Sequence, residues 1–243
     1  MRIFLIIPIL FIFLASCSNS NDFDIPQISK LEKLEEHSNQ FIKGIYSYDN
    51  GIHVAVGFGI ANSIMVEGDG GNIIIDTTDD VSQAKEVLSE FQKINQNPIK
   101  AIIYTHNHGD HVFGASEFYN SQEEKPLVIA HSTTAEKVEK ILGIINPIIT
   151  LRSGKMFGTN LDDDELINVG LGPYLSAGRT SPGYIAPTMT FEKELKLELA
   201  GHKVELYHAP GETDDQLFVW FPELYALMPG DNFYTTFPNL YTI

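Results

Sequence analysis

Thr105-His106-Asn107-His108-Gly109-Asp110-His111, or THNHGDH at residues 105–111, decides how the rest of the chain is read. Three of the chain's eight histidines and one carboxylate fall within six positions. The stretch follows directly on residues 99–104, an apolar run with strand character. Side chains alternate across a strand, so His106 and His108 can reach one point from its end. Asp110 and His111 then turn toward a second point. Neutral imidazole nitrogens and carboxylate oxygens are good zinc ligands. One segment with four such groups can serve two adjacent metals, which in two-metal hydrolases lie about 3.5–4 Å apart. A solvated histidine-rich turn is the bland alternative. Four potential ligands at this spacing, directly after a buried strand, argue against it.

The neighbouring sequence supplies a scaffold. Residues 27–43 have weak helical character. From Gly44 onward β-rich runs alternate with Gly, Asn and Asp, including a turn at 68–71. Ile73, Ile74 and Ile75 predict a buried strand ending at Asp76. A helix with an apolar stripe at Val81, Ala84, Val87, Leu88 and Phe91 follows, capped by Asp79 or Ser82. LVIAH at 127–131 is a further strand, with a helix from about Ser132 to Leu142. Residues 143–190 are rich in Gly, Pro and Ser and predict a long excursion near a pocket. Strand texture returns in LKLELAGHKVELYHAP, a hairpin around Gly201, and in QLFVWFP and ALMPGDN. Strand-rich halves with intervening helices predict an α/β fold of two sheets sandwiched between helices.

The formal net charge of −16 argues against nucleic-acid binding, which needs clustered Lys and Arg. There is no GxSxG elbow and no phosphate-binding P-loop, and Gly57-Phe58-Gly59 lacks a third glycine in phase. Arg2 and the apolar residues 3–15 fit a signal-peptide core and are too few to span a bilayer. Leu14-Ala15-Ser16-Cys17 resembles the lipobox of bacterial lipoproteins. That resemblance implies cleavage before Cys17, lipid on its sulfur, and a lipid-anchored place in the bacterial cell envelope, periplasmic or outer. Cys17 is also the single cysteine, so no disulfide forms within the chain. The expected organisation is a signal peptide at 1–17, a tether and N-terminal segment at 18–43, and one partial catalytic domain at 44–243.

HxHxDH after a hydrophobic strand resembles the metallo-β-lactamase superfamily. The resemblance implies an αββα sandwich and two zinc ions. His106 and His108 would bind one zinc, and Asp110 and His111 the other, with Asp110 also orienting the attacking water. Asp76 resembles the superfamily's structural aspartate, which is not a ligand. Many hydrolases of this superfamily bind the first zinc through the histidine of a PGH element. Here the element reads Pro210-Gly211-Glu212, so a carboxylate stands in its place. Asp231, in MPGDN, fits the superfamily's bridging acidic residue. Class B β-lactamases often use cysteine near that position, and no cysteine follows residue 17. Glu212, together with the segments GETDDQLFVWFPE and PGDNFYTTFPNLYTI, resembles the alkylsulfatase branch. That implies hydrolysis of an alkyl sulfate to an alcohol and inorganic sulfate by hydroxide generated at the metals. Asn239 and Tyr241 would contact the sulfate. A capping or solvated role is expected for Asp214 and Asp215, and for His208 either support behind a metal ligand or a structural role. His131 is expected to end a strand, while His37, His53 and His202 are expected at the surface.

In relatives of that branch an arginine that binds sulfate comes just after this motif. A further histidine ligand for the second zinc, a helical dimerisation domain and a lipid-carrier-like domain come later. With Ile243 as the last residue, the chain is expected to be truncated at its C-terminal end and to bind the first zinc better than the second. A homodimer is expected only for a full-length form. The alternatives are another hydrolase of the same fold acting on lactones, thioesters or β-lactams, or a metal-binding surface lipoprotein without catalysis.

Overall fold

The computed structural model describes residues 27–158, 161–162, 165–172 and 182–236. The signal and lipobox around Cys17, and Asn239 and Tyr241, lie outside the described residues. Helix α1 (Gln27–Ser38) comes first. Four antiparallel strands follow: β1 (Gly44–Tyr48), β2 (Ile52–Val56), β3 (Ser63–Gly68) and β4 (Gly71–Ile75). Helix α2 (Val81–Ile94) leads to β5 (Ile99–Ile103), which runs parallel to β4. The short helices α3 (Gly109–Val112) and α4 (Ala115–Asn120) lead to β6 (Leu127–His131). Helices α5 (Thr134–Leu142) and α6 (Asn146–Met156) precede β7 (Met189–Phe191). These strands make one seven-stranded sheet in sequence order. Strands β8 (Glu194–Leu199), β9 (His202–His208), β10 (Leu217–Phe221) and β11 (Ala226–Met228) form a four-stranded antiparallel sheet.

The three consecutive isoleucines of β4 are all buried because they serve two cores. Ile73 and Ile75 meet Val204, Leu206, Val219 and Phe221 between the two sheets. Ile74 points the other way, onto Ala84, Val87, Leu88 and Phe91 of α2 and Phe118 of α4. Period-two alternation along a strand covered on both faces requires this pattern. On the far face of the four-stranded sheet, Phe218 stacks on Tyr207, and Lys196 lies over the Tyr207 ring.

Two local expectations change. Helix α2 is capped by Asp80, not by Asp79 or Ser82: its Oδ1 accepts from Ser82 N at 2.6 Å and Gln83 N at 2.9 Å. Asp80 is extended (φ −158°) and lies one residue before the helix, as an N-cap must. Asp80→Ala is expected to cost about 1–2 kcal/mol, seen as a melting temperature lowered by roughly 2–8 °C. The excursion at 143–190 also contains a helix, α6. Its apolar residues do not gather on one face, since Ile148 and Leu151 are exposed. No 3.6-residue stripe therefore marks it.

Beyond β4 the backbone turns abruptly. Asp76 (φ 57°) and Thr78 (φ 72°) both occupy the left-handed region. Thr78 is β-branched, so its conformation is a real outlier. Residues 76–80 are all buried. They are held by Asp76 N donating to Ile103 O at 2.9 Å and Thr77 N donating to His111 O at 2.8 Å.

Candidate metal centre

The end of β5 is fixed from two sides. Thr105 N donates to Asp76 Oδ1 at 2.8 Å, and Leu217 N of β10 donates to Thr105 O at 2.9 Å. Thr105 Oγ1 donates to Asp76 Oδ2 at 2.8 Å. A carboxylate oxygen only accepts, so that bond uses the hydroxyl hydrogen. The 3.0 Å contact between Thr105 Oγ1 and His106 Nδ1 therefore has the ring nitrogen as donor. His106 Nε2 is left with its lone pair, buried and without a hydrogen-bond partner. His111 Nδ1 donates to the same Asp76 Oδ2 at 2.7 Å. His111 Nε2 is also buried and faces Asp231 Oδ1 at 3.3 Å and Asp110 Oδ2 at 3.4 Å. One buried carboxylate thus sets the orientation of two imidazoles.

Two sets of ligand atoms converge, each within 4.8 Å: His106, His108 and Glu212, and His106, His111 and Asp231. His106 belongs to both. Asp110 lies beside His111 but in neither set of three. Glu212 comes from the loop after β9, and Asp231 from the turn after β11. The two loops touch at Gly211, where a Cβ would stand 1.6 Å from Asn232 Oδ1, so a larger residue there would have to displace the Asn232 side chain. Tyr234, a residue the sequence reading missed, places its hydroxyl 2.6 Å from Glu212 Oε2 and 3.0 Å from Asp231 Oδ2. A lone tyrosine in DNFYTTF has no spacing that would mark it.

Burial, and then the neighbouring His111 and His108, hold the pKa of His106 well below its usual range. Burial likewise lowers His108. Both rings are then neutral, the form that binds metal. Burial pulls His111 down as well, but the carboxylates of Asp231, Asp76 and Asp110 outweigh it and raise its pKa well above normal. Asp231 is held low by His111 despite its burial. Glu212 is pushed up to about 7, chiefly by burial. Metal binding requires Glu212 ionised and His111 neutral, so uptake releases protons. Metal affinity of the metal-free chain is expected to fall as pH drops from 8 to 6, as His111 takes up its proton and, below about 7, Glu212 does as well. Chelator-competition titrations at pH 8, 7 and 6 check this; equal affinity at all three would contradict it.

The other singled-out residues sort clearly. His131 ends β6 and stacks on His208 at 4.1 Å; His208 Nε2 lies 2.7 Å from Asp214 O, a structural arrangement. The Asp214 side chain is 94% exposed and pairs with Lys137. Asp215 is completely buried, which corrects its solvated reading. His53 is also buried rather than superficial, with Ser47 Oγ 2.7 Å from its Nδ1 and Glu67 Oε1 2.6 Å from its Nε2. His202 Nε2 lies 2.7 Å from Glu67 O. His37 is half-buried, edge-on to Phe41.

The two orphaned, oriented and buried imidazole nitrogens, ringed by carboxylates, fit divalent metal ions. The sequence profile of the metallo-beta-lactamase superfamily matches residues 56–240. The chain belongs to the metallo-beta-lactamase superfamily. Within it, the chain is 37% identical over 185 residues to a linear primary-alkylsulfatase of a Pseudomonas species, covering 74% of the chain and 35% of that protein. It is 25% identical over 213 residues to an alkyl/aryl-sulfatase of Saccharomyces cerevisiae, covering 83% and 32%. In fold, this superfamily member matches the stereoselective inverting sec-alkylsulfatase Pisa1 from Pseudomonas sp. with a TM-score of 0.69 at 21% identity, over 79% of the chain and 31% of that structure. The chain spans about a third of the length of the relatives it matches. The expected α/β fold and the resemblance to alkylsulfatases both hold.

Proposed function

We propose that this protein hydrolyses alkyl sulfate esters to an alcohol and inorganic sulfate, with zinc as its metal. The observation that carries the proposal is Glu212, a carboxylate in the first ligand set where many relatives of the superfamily use histidine, in a chain 37% identical to a primary-alkylsulfatase. His106, His108 and Glu212 would hold the first ion. His106, His111 and Asp231, with Asp110 beside them, would hold the second. Bound ions supply charge neutralisation for the sulfate and a nucleophilic water at neutral pH.

The chain's own residues do the rest. Asp76 keeps the Nε2 lone pairs of His106 and His111 aimed into the site. Asp110, beside His111, would orient the attacking water, and Tyr234 would steady the two carboxylates of Glu212 and Asp231. A cleft of about 280 Å³ opens beside Glu212, lined also by Lys137, Lys140, Ile141 and Ile145. Its aliphatic side chains, Ile141 and Ile145, suit an alkyl group, while its two lysines stand beside Glu212 and Asp214, the latter paired with Lys137. In this reading Asn239 and Tyr241 contact the sulfate, and lipid on Cys17 ties the protein to the bacterial envelope as a homodimer when full-length. The test incubates the zinc-loaded chain with dodecyl sulfate and measures inorganic sulfate. Hydrolysis of lactones or thioesters without sulfate release would overturn the substrate assignment.

A further inference from the structure

Asp76 orients the imidazoles of His106 and His111, but it does not reach the other two members of the first ligand set. His108 has no hydrogen bond to either ring nitrogen among the described residues, and Glu212 sits in a loop. Both are flanked by residues that converge on one group. Asn107, between His106 and His108, donates through Nδ2 to Asp215 Oδ1. Thr213, next to Glu212, donates through Oγ1 to the same oxygen at 2.7 Å. Thr134, the first residue of α5, donates through Oγ1 to Asp215 Oδ2 at 2.7 Å. Asp215 is completely buried, Thr134 is too, and Asn107 nearly so. All three donors are neutral, and no Lys, Arg or His pairs with Asp215 among the described residues.

We infer that Asp215 is the positioning residue of the first metal set, holding the loops of His108 and Glu212 at one spacing and fixing both to α5. Burying a carboxylate against neutral donors is costly and needs every acceptor position used. A buried apolar residue would fill the space without that cost. The carboxylate is explained if its work is to join two loops whose backbones, among the described residues, bond only at their bases, from Leu217 N to Thr105 O at 2.9 Å. The loop of Glu212 is otherwise closed on itself, through Ala209 N to Gln216 O at 2.8 Å and Gln216 N to Thr213 O at 3.3 Å, and tied by Tyr234 and Asn232 to the turn of Asp231 rather than to the loop of His108. The centre then has two buried organisers. Asp76 acts on ring orientation, and Asp215 acts on the distance between ligand loops.

The inference rests on the metal centre, not on the choice of substrate. Its test is the zinc affinity of the chain, by chelator competition, and the d–d spectrum of its cobalt-substituted form. Asp215→Ala is expected to weaken zinc binding roughly 10- to 100-fold, the usual effect of losing a group behind the ligands. It should also alter the cobalt spectrum. Asp215→Asn, whose amide oxygen still accepts from Asn107 and Thr213, should restore most of the affinity. Asp214→Ala, one residue away and solvated, should match wild type. A folded Asp215→Ala chain with lowered thermal stability but unchanged zinc affinity and cobalt spectrum would overturn the inference. If Asp215→Ala does not fold, Asn107→Ala and Thr213→Val each remove one strut. Weakened zinc binding in either supports the inference, and wild-type affinity in both overturns it. A chain that binds zinc normally but releases no sulfate defeats the proposed function and leaves this inference standing.

Discussion

His106→Ala is expected to empty both metal positions at once, and to lower the proposed sulfate release by more than about 10³-fold. His106 is the one residue common to both converging ligand sets, so its loss leaves each set with two of its three members, His108 with Glu212 and His111 with Asp231, and only Asp110, outside the set, beside the second pair. Two protein ligands are too few for a tight zinc site. The rate loss follows from scale, since the metal supplies several kcal/mol of transition-state stabilisation and each 1.4 kcal/mol is about tenfold. The variant should still fold. The bonds that shape this end of β5 run from Thr105 to Asp76 and from Leu217 to Thr105, and none needs the imidazole. His37→Ala, far along the chain on α1, should keep full metal content. Metal analysis by mass spectrometry on both variants reads the outcome directly. A His106→Ala chain that retains two ions would contradict the shared-ligand geometry.

Much of this geometry was legible in the sequence, for reasons that particular residues make clear. THNHGDH announces itself because its ligands are adjacent, and Glu212 and Asp231 follow from motif register. The triple isoleucine of β4 and the Ala200-Gly201 hairpin, with φ of 46° and 79°, are local signals that tertiary structure respects. What stayed hidden is what only strand pairing or loop convergence creates. Ser47, His53 and Glu67 come into contact because β1, β2 and β3 lie side by side. Asp215 and its donors are separated by as many as 108 residues, so no local pattern distinguishes it from solvated Asp214. The same holds for Tyr234. The α2 cap failed differently. Asp79, Asp80 and Ser82 are all good capping types, and only the backbone conformation at Asp80 selects among them.

Asp76→Ala is expected to destabilise the metal-free fold by about 3–5 kcal/mol, the scale for removing one partner of a buried ionic pair. Three donors would be left buried without an acceptor: Thr105 N, Thr105 Oγ1 and His111 Nδ1. Alanine would also be forced to hold φ near 57°, which aspartate tolerates better. Asp76→Asn separates stability from function. Asparagine keeps the shape and suits the left-handed backbone, and its oxygen can still accept from Thr105 N. Its amide NH₂, however, replaces the oxygen that His111 Nδ1 and Thr105 Oγ1 address. His111 must then accept at Nδ1 and carry its proton on Nε2, the nitrogen that faces Asp231. That tautomer cannot donate a lone pair to a metal beside Asp231. Denaturant unfolding should therefore show Asp76→Asn less destabilised than Asp76→Ala, while metal titration shows it deficient in the ion that His111 would hold. Two ions bound at wild-type affinity in Asp76→Asn would mean that the aspartate is only a structural pin, and that the tautomer of His111 is set by something else.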